Sequence, residues 1–112
     1  ERGAKVVVVS HLGRPVGVDK KLSLKPAVIE LEKFLQKKVP LFDVLNLAKT
    51  KKQIDVLPPA TVAVLENIRF AKGEEENSGA LAKELASLAD IFVLDGFAVA
   101  HRQSASVSGV AK

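Results

Sequence analysis

The sequence predicts an α/β protein: an open parallel sheet with helices on both faces. Three observations lead there. Short apolar runs at residues 5–10, 39–42, 61–65 and 91–94 alternate with amphipathic stretches of helical spacing, the pattern of repeated βαβ units. The runs are apolar almost throughout, without the alternation of a half-exposed strand, as expected of a parallel sheet covered on both sides. The chain has 112 residues, 47% of them hydrophobic, which suits one domain with a real core and not two.

Each element has its own signal. Residues 5–10 read as the first strand, with Val6, Val7, Val8 and Val9 as an unbroken β-branched run. Gly13, Pro15 and Gly17 then break residues 11–20 into a loop. Ser23 is placed to cap a helix running to about Lys37, and Pro26 falls in its first turn, where a missing N–H costs little. Leu24, Val28, Leu31 and Leu35 form its buried stripe. Residues 39–42 form a second strand, which Pro40 places near an edge of the sheet. Asp43 can cap a helical segment over 44–54 that ends before Pro58-Pro59. Residues 61–65 form the third strand, and 66–73 a loop. Glu74-Glu75-Glu76, with Asn77 or Ser78, lead into a helix ending near Ser87, whose N-terminal dipole such an acidic run complements. Leu81, Leu85 and Leu88 are its buried side. Residues 91–94 are the fourth strand, and 95–112 are irregular.

Composition removes several function classes. With no cysteine, disulfides and Cys-based metal sites are excluded, which fits a reducing compartment. No methionine is present and the charged Glu1-Arg2-Gly3 start lacks a signal-peptide core, so the chain reads as a fragment. No apolar run nears the roughly 20 residues that span a bilayer, and no membrane partner is expected. The net charge of +4 favours anionic ligands. Yet Lys37-Lys38 and Lys49, Lys51 and Lys52 lie among helix-type residues, and no Tyr or Trp is available to stack on bases. No nucleic-acid partner is expected.

Ligands of open parallel sheets bind beyond the C-terminal ends of the strands. After the first predicted strand comes Ser10-His11-Leu12-Gly13-Arg14-Pro15. After the third comes Glu66-Asn67-Ile68-Arg69-Phe70. After the fourth comes Asp95-Gly96-Phe97 and then Ala100-His101-Arg102. These loops supply three arginines and two histidines. The guanidinium is a permanently charged planar fork that grips phosphate or carboxylate through two bonds. Most lysines lie in the helical stretches instead. Taken singly, each residue has an ordinary structural reading. His11 could cap a backbone carbonyl, Arg14 and Arg102 could be exposed, Arg69 could pair with Glu66 or the acidic run, and Asp95 could cap a helix.

The motifs at 10–15, 65–70 and 95–102, with Leu85-Ala86-Ser87-Leu88-Ala89-Asp90 between them, resemble the successive substrate-domain motifs of the phosphoglycerate kinase family. They stand in that family's order and spacing, and the resemblance covers essentially all 112 residues. It implies that 1–112 is part of a Rossmann-like, three-layer phosphoglycerate-binding domain. The family's first strand and a further arginine would precede Glu1, and the nucleotide domain would follow Lys112. It implies phosphoglycerate contacts at His11, Arg14, Arg69 and Arg102, with Leu12 and Gly13 lining the first loop. The implied reaction of glycolysis or carbon fixation moves a phosphoryl group between 1,3-bisphosphoglycerate and ADP, giving 3-phosphoglycerate and ATP. Mg2+ would travel with ATP or ADP on the absent C-terminal domain. The implied parent is a cytoplasmic monomer, or a plastid protein, and this chain alone is expected not to turn over. Leu94, Ala98, Val99 and Ser104 depart from the family's Asn, Gly, Thr and second His. An amide, a glycine's conformational freedom and a hydroxyl are thereby lost. The contrasting reading is a non-catalytic α/β module from a truncated gene, retaining only an anion-binding scaffold.

Overall fold

The computed structural model describes residues 2–112. Three strands, β1 (Val6–Val8), β2 (Leu41–Phe42) and β3 (Val62–Leu65), form a parallel sheet in the order β1-β3-β2. Val7 sits opposite Ala63 on one side of the central strand, and Leu41 opposite Val64 on the other. β3 is paired along both edges, so its Ala63, Val64 and Leu65 are buried. β2 is an edge strand, as Pro40 foretells. Pro40 has no N–H to give, but its carbonyl accepts from the Val64 amide at 2.9 Å.

The chain leaves β1, passes the position of β3 to reach β2, and comes back to the centre. Two crossovers of one hand running in opposite directions place their helices on opposite faces. Helix α1 (Lys25–Leu35) accordingly packs Leu24, Val28, Leu31 and Leu35 onto Val64 and Leu41. Helices α2 (Leu47–Asp55) and α3 (Gly79–Ala86) cover the other face, with Leu47, Ile54, Leu81 and Leu85 around Leu65. Neighbouring residues of β3 feed different cores because side chains alternate along a strand.

The helix ends differ from the sequence reading for identifiable reasons. Ser23 does accept from the Lys25 amide at 3.1 Å, but its hydroxyl donates to Glu66 at 2.6 Å, and α1 begins only at Lys25. It stops at Leu35, where Gln36 turns left-handed at φ 52°. Asp43 closes a turn on the Leu45 amide at 2.8 Å, and its carbonyl takes the Thr50 hydroxyl at 2.6 Å. Asn46 therefore caps α2, accepting from the Lys49 amide at 3.0 Å. The acidic run does not flank the first turn of α3, which begins at Gly79.

The predicted fourth strand is absent. Residues 91–94 are irregular, with Ile91 79% and Val93 75% exposed. The continuous burial expected of Val6 to Val9 also fails: Val6 is 47% and Val8 36% exposed, and only Val7 reaches the core. A strand needs a neighbouring edge at about 4.8 Å to complete its ladder. β1 has one partner among the described residues, and 91–94 does not pair with it. No helix of the structure is long and apolar enough to cross a membrane.

Exposed apolar runs and an unpaired strand edge promote association. Sedimentation velocity on the chain is expected to show particle mass rising with concentration across the micromolar range. Ile91→Lys with Val93→Lys should suppress that rise, and a wild-type monomer throughout would refute it.

Candidate functional site

The site begins where β3 ends. Glu66 is half-buried and accepts three hydrogen bonds: from the Ser23 hydroxyl at 2.6 Å, the Leu24 amide at 2.8 Å and the Asn67 amide at 2.7 Å. Burial alone would raise its carboxyl pKa, but these donors outweigh it and hold the group below the usual glutamate range. Asn67 is 0% exposed. Its Nδ2 donates to the carbonyls of Leu12 at 2.8 Å and Leu22 at 2.9 Å, and its Oδ1 accepts from the Arg69 amide at 3.2 Å. The two residues thus tie the loop after β1 and the entry to α1 to the end of the central strand.

Arg69 lies on a short 3-10 turn, Ile68–Phe70. Its Nη1 donates to the Gly13 carbonyl, and its Nε lies 3.6 Å from a carboxylate oxygen of Glu75. Ile68 reaches back to the first loop, donating to the Ser10 carbonyl at 3.1 Å. Gly13 has φ +65°, and a Cβ there would stand 2.9 Å from Leu22 Cδ2. The left-handed φ is what calls for glycine at this position.

His11 is half-buried. Desolvation lowers its pKa, and the charges of Arg69 and Arg102 lower it further against the opposing pull of Glu74 and Glu75. The charged form of the imidazole is thus disfavoured, and the neutral ring can donate one hydrogen bond and accept another. Arg102 is half-buried, and its Nε is enclosed with no acceptor among the described residues. His11 thus stands within electrostatic range of both Arg69 and Arg102. The fold leaves Arg14, Leu12 and His101 exposed. Arg69 does pair with the acidic run, one of the structural alternatives the sequence allows.

Three residues escape sequence reasoning. Asn67 and Glu66 carried a faint local signal, as polar residues at a strand end. Glu74 was hidden in a run that invites a helix-dipole reading, yet it is 5% exposed and bonded to Ser106.

A family model described as phosphoglycerate kinase matches residues 1–112. The phosphoglycerate kinase of Helicobacter pylori strain J99 is 50% identical over 107 residues, covering 96% of this chain and 26% of that protein. The cytosolic enzyme of Triticum aestivum is 47% identical over 112 residues, 100% of this chain and 28% of its own length. Among solved structures, phosphoglycerate kinase from Coxiella burnetii superposes with a TM-score of 0.82 at 42% identity, over 97% of this chain and 26% of that one. The chain spans about a quarter of the length of the relatives it matches.

The Glu66 bonds make stability depend on pH in one direction. A carboxyl whose folded pKa is depressed stabilises the fold above its unfolded pKa and loses that contribution as pH falls through the folded value. Glu66→Gln is expected to lower the melting temperature at pH 7 and to flatten the loss of stability on acidification below the ordinary glutamate range. An acid limb identical to wild type would contradict the assignment.

Proposed function

This chain belongs to the phosphoglycerate kinase family, and we propose that it forms the phosphoglycerate-binding part of such an enzyme. The reading is supported by His11 after β1 and Arg69 after β3, whose Nη1 reaches the Gly13 carbonyl of the first loop, together with a buried Arg102 Nε lacking an acceptor. An oxyanion supplies that acceptor. Arg69, Arg102 and the exposed Arg14 take the phosphate and carboxylate of 3-phosphoglycerate, or the two phosphates of 1,3-bisphosphoglycerate, His11 bonds to one end, and Leu12 and Gly13 line the loop. ATP or ADP, with Mg2+, is held by the part of the relatives' length that this chain does not span. A monomeric parent in the cytoplasm, or alternatively a plastid, completes the reading, with no nucleic-acid or membrane partner.

The chemistry asks little of these residues beyond placement. A carboxylate oxygen of 3-phosphoglycerate attacks the terminal phosphorus of ATP, the bond from that phosphorus to ADP breaks, and ADP leaves with the electron pair. The carboxylate is already ionised at pH 7, so no general base is required. Holding the acceptor in line and offsetting its charge is what the arginines contribute. Among the described residues no group of three or more His, Asp or Glu side chains gathers to hold a cation. The chain spans about a quarter of the length of its relatives, and on its own it is expected not to turn over.

A second reading, a non-catalytic scaffold, is favoured by one feature. The stretch carrying Leu94, Ala98 and Val99 departs from the family pattern and is largely exposed. Calorimetric titration with 3-phosphoglycerate separates the two. The first reading predicts saturable binding that Arg14→Ala with Arg69→Ala weakens at least about tenfold, the scale of one or two lost charge-assisted bonds. A folded wild type that binds no 3-phosphoglycerate would overturn it in favour of the scaffold.

A further inference from the structure

The acidic run 74–76 is not explained by α3, which begins at Gly79. Glu74 is 5% exposed, and a carboxylate so deep needs strong partners. It takes both polar hydrogens of one residue: the Ser106 amide at 3.0 Å and the Ser106 hydroxyl at 2.5 Å. Its backbone carbonyl accepts from the Ala105 amide at 2.9 Å. These bonds fasten the start of the π-helical turn Ala105–Gly109, which packs against α3 with Ala105 and Val107 buried. The approach is close: a Cβ at Gly109 would stand 2.9 Å from Ala82 Cβ.

Arg102 lies immediately upstream of that turn. Its own amide makes only a local bond, to the Val99 carbonyl at 2.9 Å, and the residues before it offer no anchor, since 91–95 are exposed and unpaired. The fixed points nearest to Arg102 are therefore downstream, at buried Ser104 and Ala105 and the Glu74–Ser106 contact.

We propose that Glu74 is the positioning residue for Arg102: by gripping Ser106 it holds the segment from which the Arg102 guanidinium projects. The functional meaning of this contact rests on the phosphoglycerate reading of the site. A carboxylate suits the task because both oxygens accept and neither donates, matching an amide and a hydroxyl on the same residue. Glutamine keeps the shape but turns a donor toward one of those hydrogens.

Two measurements test this. In 15N NMR of the ligand-free chain, the Arg102 Nε–H signal, identified by its loss in Arg102→Ala, should lie away from the random-coil position. In Glu74→Gln and in Ser106→Ala it should move to that position while the signals of β3 and α1 remain dispersed. In titrations with 3-phosphoglycerate, Glu74→Gln should weaken binding about tenfold in the wild-type background and not at all when Arg102→Ala is already present. An unmoved Arg102 signal in both folded variants, or an equal loss of affinity without Arg102, overturns the proposal. If the wild type binds no 3-phosphoglycerate, the site reading fails, and the Nε–H signal still decides whether Glu74 positions Arg102.

Discussion

The side-chain amide of Asn67 joins three segments that the chain keeps far apart. Its two N–H groups go to Leu12, 55 residues away, and to Leu22, 45 residues away, while its oxygen receives the Arg69 amide. Fully buried, it can be tolerated only because these bonds are made. Aspartate would bring a charge and no donors, and glutamine would be one methylene too long. Its location also matters. β3 is the strand paired on both sides, so a residue at its end inherits the most rigid position in the sheet. Glu66 beside it fixes the entry to α1 through Ser23 and Leu24. From these two residues follow the path of the loop after β1, the close approach of Gly13 to Leu22 and the contact from Arg69 to the Gly13 carbonyl.

On that frame the charges are distributed with some economy. Lysines are spent at the periphery: Lys5 closes the C-terminus of α2 by donating to the Asp55 carbonyl at 2.8 Å. Desolvation, and after it the charges of Arg69 and Arg102, lower the pKa of His11. Glu75 compensates Arg69, while Glu74, deeper, is committed to Ser106. Arg69 thus has partners in the fold, while the buried Nε of Arg102 has no acceptor among the described residues. A bound anion would offset both charges, which is the reading proposed above.

Much of this was legible in the residues. The apolar run of β3, the Leu24, Val28, Leu31, Leu35 stripe and the edge position signalled by Pro40 are local signals, and each appears where local physics puts it. The failures have a common physical origin. Residues 91–94 carry strand-forming side chains, but a side chain expresses a preference for pairing and cannot provide the partner. Val6 and Val8 are exposed for the same reason. The acidic run was assigned to the nearest helix, whereas Glu74 bonds to a residue 32 positions away. For the site, the places of His11 after β1 and Arg69 after β3 followed from the rule about strand ends, whereas no strand precedes Arg102 in the structure. The exposure of Arg14 and the roles of Asn67 and Glu74 depend on long-range bonds that no spacing announces.

The central claim is that Asn67 holds the anion loop in place. Hydrogen exchange on Asn67→Ala, compared with wild type under conditions where both are folded, tests it most directly. The Leu22 and Ser23 amides, bonded to the Asp19 and Lys20 carbonyls, report on the loop, and the Val64 amide, bonded to the Pro40 carbonyl, reports on the sheet. The account predicts that Leu22 and Ser23 lose protection while Val64 keeps its own, with global stability lower by about 1–3 kcal/mol for each carbonyl left without a donor. Unchanged protection at Leu22 and Ser23 in a folded variant would contradict it.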